Sequence, residues 1–314
     1  MLQRFLGLFW IIIFLPQVAL ASFADQPNVK NFIDKMAAKH HFVKSELVTL
    51  FDQVKVRPVV IQSVKTPLEA KPWYVYQTLF VTQWRIREGV AFWNKYHEAL
   101  ERAEKKYGVP ASIIVATIGV ETKYGTNNGE HRVIDALSSI AFSNSPRAPF
   151  FRSELEQFLL LVREQHLNPL KVLGSYAGAI GQPQFMPSSY RYYAVNFSGN
   201  SKIDLTNNEI DVIGSIANYY NKHGWKTNQP VAERTHIQPQ PFNFLTHNNQ
   251  PTLPSFGNQK TKLIELKGYF GREYWIGYPN FAVIKRYNPS DLYAMAVYQL
   301  SYHISMLKGK TDNA

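Results

Sequence analysis

The chain has no cysteine among its 314 residues. That single absence removes disulfides, thiolate metal sites, cysteine nucleophiles and a lipid-anchoring thiol. Acidic residues are scarce as well, 23 Asp and Glu against 34 Lys and Arg, which leaves a net charge of +11. This balance favours an acidic partner (nucleic acid, an anionic membrane, or an anionic polymer such as the cell wall) without choosing among them. Long apolar runs are also lacking, since Leu6 to Leu15 (LGLFWIIIFL) is short for a membrane span. Phosphate-cradling loops are missing too. The Gly-rich stretch Leu173 to Tyr190 has neither GxGxxG nor GxxxxGK(S/T) spacing, so a nucleotide site is not expected.

What is present reads as a globular protein with ample core, at 45% hydrophobic and 18% charged residues. Aromatics are heavy at 14%, with 18 Tyr and 6 Trp. Such rings fill cores and also line grooves that stack against sugars or bases. Residues 1–24 read as a secretory signal: Arg4, then the short apolar run, then small residues at Ala19-Leu20-Ala21 and Ser22-Phe23-Ala24. An uncleaved anchor is the alternative reading of that segment. Residues 25–108 show helical spacing, with Phe32, Met36 and Ala37 on one face and a long charged helix from Glu88 to Gly108. Trp73 and Tyr76 are groove candidates within it. Residues 231–275 are rich in Pro, Gln, Asn and Thr, with alternation at Thr261 to Leu266, and read as a small β-rich subdomain. In residues 276–314 a strand is expected at Asn280 to Asn288, followed by a closing helix from Leu292 to Leu307.

Between these lies the core region, 109–230. It opens on VPASIIVATIGVETKYGTNNG, Val109 to Gly129. Pro110 suits a helix start, Ile113, Ile114, Ala116, Thr117 and Val120 give a buried face, and Gly125 stops the helix. Glu121 falls at the end of that greasy run. Partial desolvation and the negative end of the helix dipole both push such a carboxylate toward its protonated form, which suits a general acid. The competing reading is a helix-end glutamate paired with Lys123 or a nearby arginine. Asn196 to Asp211 echoes a calcium loop, but Asn196 and Asn200 stand where acids are wanted and Lys202 intrudes, so a polar turn is expected.

The motifs GVETKYGTNNG (Gly119 to Gly129) and SYAGAIGQPQFMPSSY (Ser175 to Tyr190) resemble the membrane-bound lytic murein transglycosylase B family. IDALSSIAF, NFSG, IGSIANYYNKHGW, RYN and YAMAVYQL continue the resemblance in order from about residue 80 to 305. It implies a mainly α (α+β) protein, with a lysozyme-like helical catalytic core inside a larger helical domain and a small inserted β-domain. It also implies Glu121 as the catalytic acid and base, Ser175 and Gln184 as cleft residues, and Tyr219 and Tyr287 as aromatic residues of the sugar groove. Arg147 falls near the family's basic pair, with Pro146 in place of one arginine. The family's cation loop falls on Asn196 to Asp211, where Asp211 is kept and the other acids are lost. No metal and no cofactor are expected.

The reaction implied is cleavage of the β-1,4 MurNAc–GlcNAc bond of peptidoglycan with formation of a 1,6-anhydro sugar. A hydrolytic muramidase would need a second carboxylate. Glu130 and Asp135 are the nearest, and helix spacing gives no reason to aim either at the same sugar. A non-catalytic wall-binding protein is the other alternative. Peptidoglycan strands are the expected partner, wall-synthesis complexes are further candidates, nucleic acid is not expected, and a periplasmic monomer is the expected state.

Overall fold

A run as apolar as Ala111–Thr122 is stable only where every side of it is covered. In the computed structural model, which describes residues 22–59, 70–235 and 261–313, this run is a helix with ten of its twelve residues buried. The chain divides into two compact units, Met1–Val54 and Lys55–Ala314.

In the first unit, Pro27–His40 (α1) buries Val29, Phe32, Ile33 and Met36 at helical spacing. Lys44–Phe51 (α2) answers with Leu47 and Phe51, and the rings of Phe32 and Phe51 meet edge-on at 5.9 Å. His41, left-handed at φ 57°, turns the chain between them. The proposed signal lies, up to Ala21, outside the described residues.

The second unit begins with Trp73–Phe80 (α3), Gln83–Lys95 (α4) and His97–Tyr107 (α5). The single helix expected over Glu88 to Gly108 is interrupted at Tyr96, whose φ of −116° is not helical. Then come Ala111–Thr122 (α6), the two-residue strand His131–Arg132 (β1), Val133–Ala141 (α7) and Ala148–Glu164 (α8). Leu173–Gly174 (β2) pairs antiparallel with β1 and pulls the Gly-rich loop beside the exit of α6. Pro187–Tyr193 (α9) and Glu209–Lys222 (α10) follow.

The β-rich segment provides Ala232–Thr235 (β3), Lys262–Gly268 (β4) and Gly271–Gly277 (β5), an antiparallel sheet in the order β3-β5-β4. Its central part, residues 236–260, lies outside the described residues. Pro279–Tyr287 (α11) and Asp291–Asp312 (α12) close the chain. Asn280 to Asn288 is therefore helix where a strand was expected. Pro279 occupies the first turn, and Phe281 and Ile284 are buried three residues apart, a helical spacing that the β-branched residues Val283 and Ile284 obscured. The central helix α6 is enclosed by α4, α5, α10 and α12. Glu121 leaves that enclosure only at its last turn.

Candidate active site

The backbone after Glu121 is unusual. Lys123, Tyr124 and Gly125 have φ of 52°, 59° and 82° in succession. Left-handed geometry is unfavourable for the two non-glycine residues, so the turn must be held by its surroundings. Tyr124 folds its ring back over Gly119, where an added Cβ would lie 2.5 Å from the phenol oxygen. Its Oη donates to the Arg85 carbonyl (2.6 Å), and Arg85 Nε donates to the Gly119 carbonyl (2.9 Å). Thr122 Oγ1 donates to the Gln182 carbonyl (3.0 Å) and accepts from the Gly125 N–H (3.1 Å). The helix end is thus tied to α4 on one side and to the Gly-rich loop on the other.

Glu121 is half-buried, and its Oε1 accepts a 2.6 Å hydrogen bond from Tyr293 Oη. Tyr293 sits on α12 and is 3% exposed. A phenol donor favours the ionised carboxylate, which opposes the desolvation and helix-end field that favour the acid. Around this pair the rings of Tyr287 and Tyr293 stack at 6.3 Å, Tyr219 and Tyr287 meet at 4.8 Å, and Phe185 lies 5.5 Å from Tyr219. Burial, then the Glu121 charge, pushes Tyr287 and Tyr293 well above the ordinary phenol range. Tyr219 and Tyr220 are pushed up mainly by burial too. All four therefore stay neutral near pH 7.

The remaining expected residues are placed as follows. Tyr219 Oη donates to the Arg286 carbonyl and Tyr287 Oη to the Pro183 carbonyl, both at 2.6 Å, so these rings belong to the cluster around Glu121. Ser175 Oγ accepts the Ala177 and Ala179 N–H groups at 3.3 and 3.1 Å, which fills both acceptor positions and leaves its O–H as a donor. Gln184 is left-handed at φ 47°, and its Nε2 donates to the Asn128 and Gly181 carbonyls (3.2 and 2.9 Å). Its side-chain oxygen is what remains to offer a ligand. Arg147, at the start of α8, is exposed and lies over the rings of Phe150 and Phe151 at 5.6 and 5.1 Å. Of the other two groove candidates, Trp73 and Tyr76 are buried, at 0% and 2% exposure, and belong to the core.

The candidate second acids differ. Asp135 is 1% exposed and held by Arg132, whose Nε and Nη2 lie 2.8 and 2.7 Å from its oxygens, with the Lys55 N–H at 2.9 Å. Glu130 is exposed. In the Asn196–Asp211 loop, Asp211 Oδ1 accepts the Phe197 and Ser198 N–H groups at 2.8 Å, and Oδ2 accepts that of Asp204 at 3.1 Å. Among the described residues, no three His, Cys, Asp or Glu side chains converge as a metal cage would require.

Tyr293 was missed as a site residue from sequence. The signal was a hydroxyl inside the all-buried run Tyr293–Val297, because a buried phenol must find an acceptor. Gln182, 2% exposed and bound to Glu209 Oε1 at 3.3 Å, gave no such signal, since its register depends on the loop.

Comparison with known proteins gives the class of molecule that carries this site. The family model described as "Transglycosylase SLT domain" matches residues 24–302. The chain is 41% identical over 307 residues to membrane-bound lytic murein transglycosylase B of Escherichia coli, covering 91% of this chain and 85% of that one. It is 44% identical to the crystallised soluble lytic transglycosylase SltB1 of Pseudomonas aeruginosa, with a TM-score of 0.81 over 90% of this chain and 100% of that one. A more distant solved structure is SltB3 of Pseudomonas aeruginosa in complex with NAG-anhNAM-pentapeptide. It is 26% identical, with a TM-score of 0.75 over 90% of this chain and 79% of that one. The chain belongs to the SLT-domain transglycosylases and is, like them, a lytic transglycosylase. The mainly α fold with small antiparallel sheets is likewise shared with these structures.

Proposed function

We propose that this chain cuts the β-1,4 bond between MurNAc and GlcNAc in peptidoglycan and closes a 1,6-anhydro ring, with Glu121 acting first as acid and then as base. The observation that carries the reading is the Tyr293–Glu121 hydrogen bond set inside a cluster of neutral phenols. Oriented by Tyr293, the Glu121 carboxyl passes its proton to the glycosidic oxygen as the bond from that oxygen to C1 breaks. The N-acetyl group of the same sugar supports the cationic C1. The C6 hydroxyl then attacks C1, and its proton returns to the Glu121 carboxylate. The enzyme ends as it began and water is not consumed.

Ser175, as a donor, and Gln184, through its side-chain oxygen, suit the amide and hydroxyl groups of an N-acetylated sugar. Tyr219 and Tyr287 have their hydroxyls engaged on backbone carbonyls, and their rings pack into the cluster around Glu121. Holding the muramic ring in a near-attack geometry supplies much of the rate. Arg147 is suited to an acidic peptide stem. The engagement of Asp135 by Arg132 weighs against a two-carboxylate hydrolase built on that residue. The leader sequence points to the periplasm of a Gram-negative bacterium, with a monomer acting on glycan strands and wall-synthesis complexes as further partners.

The test is mass spectrometry of muropeptides released from purified sacculi by the wild type and by Glu121→Gln. Anhydro-muropeptides from the wild type alone are expected. Reducing-end products would mean hydrolysis and a second acid, and no release from either protein would leave only wall binding.

A further inference from the structure

The β4–β5 hairpin breaks the usual rule for its turn. Gly268 pairs with Gly271, so the two-residue loop between them is Tyr269-Phe270. Such loops favour Gly, Asn or Asp, and two aromatics there gain nothing for the hairpin itself. Phe270 is 99% exposed and Tyr269 78%. Departures of this kind, where a local rule is broken without local compensation, concentrate at functional sites. The tip also forms one wall of a cavity of about 640 Å³, within the range of ligand pockets. Tyr74 of α3 stands beside it, its ring meeting that of Tyr269 edge-on at 6.2 Å, so the two form one aromatic side of the cavity. Glu265, Lys267 and Arg272 line the rest, Lys267 and Arg272 facing each other across the ladder and Arg272 ion-paired with Glu265.

We infer that this cavity is a second saccharide-binding site, which holds a neighbouring stretch of wall glycan away from the Glu121 cluster. The inference rests on the substrate class proposed above. The Tyr74–Tyr269 pair suits the apolar face of a pyranose ring. The polar lining carries both an acceptor carboxylate and cationic donors, as a hydroxyl-rich ligand with scattered carboxylates requires. An anionic bilayer would instead call for a cluster of cations, whereas Lys267 and Arg272 against Glu265 leave the lining with a net charge of only +1. For an enzyme working on an insoluble polymer, a second contact raises the effective concentration of strand at the cleft.

The test is co-sedimentation with purified sacculi, using Glu121→Gln protein so that the polymer is not digested. Adding Tyr269→Ala should weaken retention by about tenfold, the effect of losing one aromatic anchor, while Phe270→Ala, outside the cavity lining, should leave it unchanged. Both side chains are exposed, and an unchanged melting temperature will show that the fold is intact. Unchanged retention in the Tyr269→Ala protein would overturn the inference. So would binding of the parent protein to phosphatidylglycerol vesicles that is lost on Tyr269→Ala while retention on sacculi stays the same, since the tip would then be a membrane contact. Muropeptide release by the unsubstituted chain reports on the catalytic reading separately, so the two can fail independently.

Discussion

Glu121 and Asp211 are carboxylates near helix ends in the same unit, yet their surroundings fit them for opposite tasks. Asp211 is fully buried in the first turn of α10 and accepts three backbone N–H groups, from Phe197, Ser198 and Asp204. Glu121 lies at the opposite kind of end, the C-terminus of α6, half-buried and oriented by a side-chain phenol. Asp211 folds a loop through three backbone N–H groups held on its two oxygens. Glu121 has Oε1 oriented by Tyr293 Oη and sits among neutral phenols. The comparison teaches that a buried carboxylate is assigned its role by the donors on its oxygens, and burial alone does not decide it.

Exchanging each acid for its amide should separate the two roles. Glu121→Gln is expected to reduce turnover by roughly a thousandfold with little change in melting temperature, as removal of a general acid and base would. Muropeptide release together with thermal unfolding checks both halves. Asp211→Asn should do the reverse. It turns an acceptor toward backbone donors into a group with N–H of its own, at a cost of about 2 kcal/mol in stability by urea unfolding, and the folded fraction should remain active. Equal loss of activity in both variants would break the comparison.

Tyr293→Phe sharpens it further. Turnover should fall by about tenfold, the size of a lost hydrogen bond to a charged group. Because the phenol favours the carboxylate, its removal should move the alkaline limb of the pH–rate profile, along which Glu121 loses its proton, to higher pH. The smallest effect concerns the phenols. Tyr219, Tyr220, Tyr287 and Tyr293 all hold their protons more tightly folded than unfolded. Their contribution to stability is therefore constant below the ordinary tyrosine value of about 10 and declines above it, by roughly 0.4 kcal/mol per phenol at pH 10. Unfolding midpoints measured between pH 8 and about 10.5 would show this as a downward bend.

Much of the site was legible in the chain. Glu121 stood out because a charged residue closed an otherwise apolar helix, and the Gly-rich stretch announced a loop because no helix tolerates its glycines and prolines. The closing helix and the strand that begins at Lys262 also followed from periodicity. Other features were not legible. The strand expected at Asn280 to Asn288 is a helix because packing of Phe281 and Ile284 overrode β-propensity. Tyr293 carried its signal in a helix 172 residues away from Glu121, where no local pattern could name its partner.

The sequence by itself determined which segments must be covered and that a carboxylate would stand near the end of α6, because periodicity and the cost of burying charge are local physics, although α6 ends at Thr122, before the Gly125 stop. Only the tertiary structure decided which donors meet that carboxylate. Tyr293 reaches Glu121, Arg132 holds Asp135 and three amides hold Asp211, and each of these depends on how distant elements pack. The chemistry available to an acid is set by groups within hydrogen-bond reach, and folding alone brings those groups together.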